Sequence, residues 1–87
     1  MTEEEFVEIM NDDDIKTDWK GNNACRGLDI IRKYCPDEGI EYAEHDIIGS
    51  VSVSDIVQAG ITKEDAAKLR GLNWMIDENE EGLACFV

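Results

Sequence analysis

Pro36 separates two hydrophobic patterns, and that change of period constrains the fold more than any other feature of the chain. Before it, apolar residues recur at helical spacing: Phe6, Ile9 and Met10 at i, i+3 and i+4, then Ala24, Gly27, Leu28 and Ile31. From Ile40 to Ile47 the period is two, with Ile40, Tyr42 and Glu44 alternating against Ala43, His45 and Ile47, before helical spacing returns ahead of a closing hairpin. Helical stripes followed by strand-like alternation imply an α+β chain, in which helices cover one face of an antiparallel sheet.

Local codes fill in the elements. Thr2-Glu3-Glu4-Glu5 is a capping box, which predicts a helix over about residues 3–11. Three glutamates in its first turn suit the helix dipole. Asn11-Asp12-Asp13-Asp14 breaks the helix, because short acidic side chains favour turns. Ile15 to Gly21 has no clear period, and Trp19 is expected there as a packed anchor. Asn22 or Asn23 caps a second helix, Arg32 and Lys33 fall in its last turn, and Pro36 ends it. Gly27 lets a neighbouring element approach that helix closely. Gly49 is expected to close the strand over 40–48. A helical turn or two follows within 50–60, capped by Ser52 or Ser54 and stopped by Gly60.

Thr62-Lys63-Glu64-Asp65 is a second capping box with Asp in the usual Glu place, ahead of the buried side Ala66, Leu69 and Leu72, with Gly71 as C-cap. Trp74 and Ile76 then alternate with Met75, a polar turn spans 77–82, and alternation resumes over 83–87. A lone hairpin is marginal in water, so strand 40–48 should join it. The expected architecture is therefore a small three-stranded antiparallel sheet (about 40–48, 73–77 and 83–87) covered on one face by three or four short helices. One domain over 1–87 is expected, with an acidic N-terminal helix and an α+β core from about residue 22.

Charge restricts function. The chain has 21 acids against 8 lysines and arginines, a net of −13. That field opposes direct binding to nucleic-acid phosphates or anionic membranes and favours a basic partner surface. The acids cluster. Glu3, Glu4, Glu5, Glu8, Asp12, Asp13 and Asp14 form one base-free block, and Asp77, Glu78, Glu80 and Glu81 form another. The apolar runs are too short to span a bilayer. Three cysteines, an odd number, with no signal-peptide pattern, imply reduced thiols in a cytoplasmic protein.

Residues with catalytic or metal-binding chemistry are few. Cys25, Cys35, His45 and Cys85 have the residue types of a structural zinc centre, the alternative reading of this chain as an interaction module. Their spacing fits no common zinc pattern, and Cys25 and Cys35 on one helix stand roughly 15 Å apart. His45 beside Asp46 has the residue pair of a metal-dependent hydrolase, yet neighbours on a strand point to opposite faces. Ser50, Ser52 and Ser54 lie in no nucleophile elbow, and no glycine-rich phosphate loop is present. Asn11 to Asp14 lacks the calcium-loop pattern. No catalytic residue, metal or cofactor is assigned, and a binding protein rather than an enzyme is expected.

The acidic blocks suggest phosphate mimicry, since a groove lined by lysine and arginine expects closely spaced negative charges. Asp12, Asp13, Asp14, Asp77, Glu78, Glu80 and Glu81 are the candidate partner-binding residues. The stretches A-E-H-D-I-I at 43–48, G-I-T-K-E-D-A-A-K-L-R-G-L-N-W at 60–74 and G-L-A-C-F-V at 82–87, with G-L-D-I-I-R-K-Y-C-P-D at 27–37, resemble small acidic proteins of bacterial phages and mobile elements. That resemblance covers roughly 24–87 and implies no enzymatic residue. In size and charge the chain also resembles anti-CRISPR inhibitors, several of which imitate DNA on a Cas effector. The resemblance implies a partner that handles nucleic acid through a basic surface, such as a CRISPR effector nuclease.

Overall fold

The computed structural model describes residues 1–86. In chain order its elements are α1 (Glu3–Met10), α2 (Asn23–Tyr34), β1 (Tyr42–Glu44), β2 (Ile47–Ser52), α3 (Val53–Gln58), α4 (Lys63–Gly71), β3 (Trp74–Asp77) and β4 (Gly82–Phe86). Val87, placed by sequence in the last strand, lies outside the described residues.

The α+β class holds, but the sheet has four antiparallel strands in the order β1-β2-β4-β3 rather than three. The expected strand over 40–48 is two strands. The chain reverses at His45-Asp46, so that Glu44 pairs with Ile47 and Tyr42 with Gly49. His45 takes the positive φ of 51° that this turn needs. Histidine enters that region more readily than most side chains, though less readily than glycine. No Gly, Asn or Pro marks the reversal, and the alternating pattern hides it.

Gly49 does not close a strand; it sits inside β2, which runs on to Ser52. A Cβ there would overlap the Tyr42 ring, so glycine is what lets that ring lie across the sheet. β2 also carries an extra residue relative to β4 between Gly49 and Ser52, a β-bulge. The bulge lets both Ser50 and Val51 be buried, the serine hydroxyl donating to the Gly39 carbonyl at 2.6 Å.

All four helices pack on one sheet face. Ile48, Cys85 and Trp74 align across the register and so share a face with Leu83 and Ile76. These side chains join Phe6 and Met10 of α1, Ile31 of α2, Ile56 of α3 and Leu69 of α4 in one core. Trp74 is its centre. The indole is fully buried and its Nε1–H donates to the Asn23 carbonyl at 3.0 Å. Gly27 faces the indole so closely that any Cβ would overlap it, which realises the close approach read from sequence.

The caps are as expected at α1, where Thr2 and Glu5 bond reciprocally, and at α3, where Ser52 accepts from Asp55 N–H. Two others differ. Asn22 is the α2 N-cap but makes no side-chain cap bond. Asn23 lies within the helix, fully buried, accepting from Lys20 N–H at 2.8 Å and donating to the carbonyls of Asp18 at 2.7 Å and Leu72 at 2.8 Å. It thus ties the loop before α2 to the end of α4. At α4, Thr62 accepts from Asp65 N–H, but the Asp65 carboxylate does not reach back. It is 5% exposed and accepts from the Tyr34 hydroxyl and from Lys33 Nζ at 2.9 Å, joining α2 to α4. Gly71 ends α4 without taking a left-handed turn; Asn73 does that, at φ 64°. Trp19, expected to pack, is 56% exposed.

Candidate functional site

An open groove of about 580 Å³ lies between α1, the start of α3 and the β3–β4 loop. Val7, Val53 and Ile76 supply its apolar floor, and Glu3, Glu78, Glu80 and Glu81 stand around it. Local chemistry fixes the loop that carries most of this charge. The Asp77 carboxylate accepts from Asn79 N–H at 3.0 Å, Glu81 takes φ 53°, and the Glu81 carbonyl accepts from Val53 N–H at 3.0 Å. The loop is therefore tied at one end to its own strand and at the other to α3. Among the described residues none of Glu3, Glu78, Glu80 and Glu81 lies within ion-pair distance of a lysine or arginine.

The two acidic blocks differ in what surrounds them. Asp12, Asp13 and Asp14 do not line the groove. Asp12 folds back to accept from Asp14 N–H at 2.9 Å, and its carbonyl accepts from Arg70 Nε at 3.3 Å. Asp13 stands 3.7 Å from the same guanidinium. Asp77 is half-buried and serves the sheet: its carboxylate accepts from the Tyr42 hydroxyl at 2.6 Å, spanning from β1 to β3. That bond holds the Asp77 carboxyl below its ordinary range and, with burial and the charges of Asp77, Glu80 and Glu44, pushes the Tyr42 hydroxyl up to about 12. Glu78, Glu80 and Glu81 remain as exposed, unpaired carboxylates.

A wider asymmetry of charge runs along the chain. Residues 34–62 and 71–86, which form the sheet, α3 and their loops, hold no lysine or arginine. They hold Asp37, Glu38, Glu41, Glu44, Asp46 and Asp55 in the first segment and Asp77, Glu78, Glu80 and Glu81 in the second. Crowding is severe enough to move a carboxyl: burial, then Glu38, Asp55 and Glu80, raise Glu41 above its ordinary value. The signal was present in the sequence as a base-free run between Lys33 and Lys63. It needed the fold to connect that run with the C-terminal block.

The zinc-type residues are dispersed. His45 is exposed in the β1–β2 turn, Cys25 is exposed, Cys35 half-buried and Cys85 buried in the core. Among the described residues no three His, Cys, Asp or Glu side chains converge on a point where a metal ion could be held. Burial raises the thiols of Cys35 and Cys85, which keeps them protonated. Among the described residues no helix is long and apolar enough to cross a membrane. Compared with protein-family models, curated proteins and solved structures, the chain matches none.

Proposed function

We propose that this chain is an acidic binding protein that occupies a basic surface of a nucleic-acid-handling partner and thereby inhibits or modulates it. One observation carries the reading: Glu3, Glu78, Glu80 and Glu81 surround one groove without a neutralising base. Leaving carboxylates unpaired adds repulsion to a chain already at −13, a cost that a cationic partner would relieve. The finer form of the proposal, which rests on the resemblance to phage proteins and anti-CRISPR inhibitors, is that the partner is a Cas effector nuclease and the acids take the place of its DNA. Of the seven sequence candidates, Glu78, Glu80 and Glu81 are assigned the contact. Asp77 is assigned to hold Tyr42, and Asp12–Asp14 to the field around Arg70.

Binding to an effector nuclease at low salt, measured by titration calorimetry, tests this. The triple reversal Glu78→Lys, Glu80→Lys, Glu81→Lys should weaken binding at least tenfold, and reversal of Asp13 and Asp14 should weaken it less. Equal effects of the two variants, or no binding by the native protein, would overturn the assignment.

A further inference from the structure

Among the described residues no helix covers the second face of the sheet. Every helix contributes to the core on the Ile48–Cys85–Trp74 side. Alternation therefore sends Tyr42, Ile47, Gly49, Ala84, Met75 and Phe86 to the opposite side. Register sets two rows there. Glu44, Ile47 and Phe86 are neighbours across β1, β2 and β4. Tyr42, Gly49, Ala84 and Met75 are neighbours across all four strands. The centre of the second row is small, and the Tyr42 ring lies over Gly49 with its hydroxyl held by Asp77 on the far edge. Ala84 is fully buried although it lies away from the helices. The result is a flat, pinned aromatic surface, beside which Phe86 stands 47% exposed and Ile47 and Met75 are half-buried.

Three kinds of occupant follow from general chemistry, and charge selects among them. Glu44, Asp77 and Glu80 lie close enough to Tyr42 to bear on its hydroxyl, and no strand contains a lysine or arginine. Nucleic-acid bases stacked on Tyr42 and Phe86 would bring phosphates to this rim and be repelled. A second copy would oppose the same acids across the contact. A cationic protein segment meets both the apolar rows and the acidic rim. Width selects its form: four strands at about 4.8 Å spacing make a face roughly 14 Å across, and one α-helix with its side chains is about 10–12 Å wide.

We infer that the uncovered sheet face docks one amphipathic α-helix of a partner protein, laying an apolar stripe over Ile47, Met75 and Phe86 with flanking lysines or arginines toward Glu44 and Asp77. This surface lies on the other side of β3 from Ile76 of the groove, with Glu80 bearing on both, and it completes the sheet as a layer covered on both sides. Phe86 is the anchor, because an exposed aromatic set among half-buried neighbours is the residue type on which such contacts turn.

The probe is a synthetic amphipathic helix with leucines at i, i+3, i+4 and i+7 and lysines elsewhere. Two peptides of equal length serve as controls: one with the same residues in scrambled order, one with glutamates for lysines. Binding is followed by backbone amide shifts in the full chain. The ordered leucine–lysine peptide should perturb Ile47, Met75 and Phe86, and Phe86→Ser should weaken it at least tenfold without lowering the unfolding midpoint. The scrambled peptide should bind several-fold more weakly and the glutamate peptide not at all. Perturbations confined to the groove, equal binding of ordered and scrambled peptides, an unaffected Phe86→Ser variant, or self-association through this face in sedimentation would each overturn the inference. The double reversal Glu78→Lys, Glu81→Lys, which spares Glu80, should leave this peptide's shifts at Ile47, Met75 and Phe86 in place, so failure here and failure of the groove assignment are distinguishable.

Discussion

Three residues have roles that their types alone do not announce. Gly27 exists for Trp74: adding a methyl would force the buried indole to shift and strain its bond to the Asn23 carbonyl. Alanine gains about 1 kcal/mol of helix propensity at such a site, but overpacking a core costs about 1–3 kcal/mol. Gly27→Ala should therefore destabilise the chain in urea unfolding, and an increase in stability would show that the indole has room. Asn23 joins three backbone groups at once, so Asn23→Ala leaves buried polar groups unmatched and should cost about 2–3 kcal/mol.

Tyr42 is a titration probe for its own contact. Its hydroxyl is raised to about 12, so the folded state holds the proton more tightly than the unfolded chain. The stability this contributes is complete below the ordinary value of 10.0 and is lost as pH rises toward about 12. Ultraviolet titration should show one tyrosine ionising late, and Asp77→Ala should bring it back toward the ordinary range. A normal Tyr42 titration in the native chain would mean that the ring is not held across the sheet.

At the level of elements, what the sequence declared through local chemistry is what the structure contains. The Thr2–Glu5 box, the Ser52 and Thr62 caps, the Pro36 stop and the hairpin after Trp74 are all local, and each sits within a few residues of where it was expected. Several of the misses share a cause: a contact distant in sequence decided them. The β1–β2 turn carries Asp46 but no Gly, Asn or Pro, and the alternating pattern on either side of it reads as one strand until Glu44 is seen to pair with Ile47. Gly49 is punctuation by composition but a seat for Tyr42 by contact. Asn23 and Asp65 have the residue types of caps, but tertiary partners hold their side chains. Trp19 follows no period, so nothing local fixed its exposure.

The site was legible as charge but not as shape. Glu78, Glu80 and Glu81 were visible as a block, whereas Glu3 joins them only through the docking of α1. His45 offers an element-scale test. A left-handed residue other than glycine costs roughly 1 kcal/mol, so His45→Gly should stabilise the fold by up to about that amount. Loss of partner binding with the fold intact in this variant would give the histidine a functional role, and loss of stability would contradict the strain argument.

Across the whole molecule the bases are segregated: every lysine and arginine lies within residues 16–33 or 63–70, and none in the strands. Two opposing pH effects follow. Acidifying from neutrality relieves repulsion among the carboxylates and protonates Glu41, whose raised value makes its contribution fully present below the ordinary 4.5 and lost as pH rises through the folded value. Further acidification removes what Glu5, lowered to about 2, and the lowered Asp65 and Asp77 contribute, since that stability is present above their ordinary values of 4.5 and 3.8 and disappears as pH falls through the folded ones. Thermal unfolding should thus be latest in mildly acidic solution, about pH 5, and added salt should raise the midpoint at neutral pH by screening the field. A midpoint that falls steadily from neutrality would mean that repulsion is not a governing term.

The proposed function turns on whether the groove's acids take a place that nucleic acid would otherwise occupy. Displacement of labelled target DNA from a Cas effector nuclease at low salt is the direct measurement. The native chain should compete with the DNA, with a potency that falls steeply as salt is added, and the Glu78→Lys, Glu80→Lys, Glu81→Lys variant should not compete. Simultaneous binding of DNA and the native chain, or undiminished competition by the reversed variant, would contradict it.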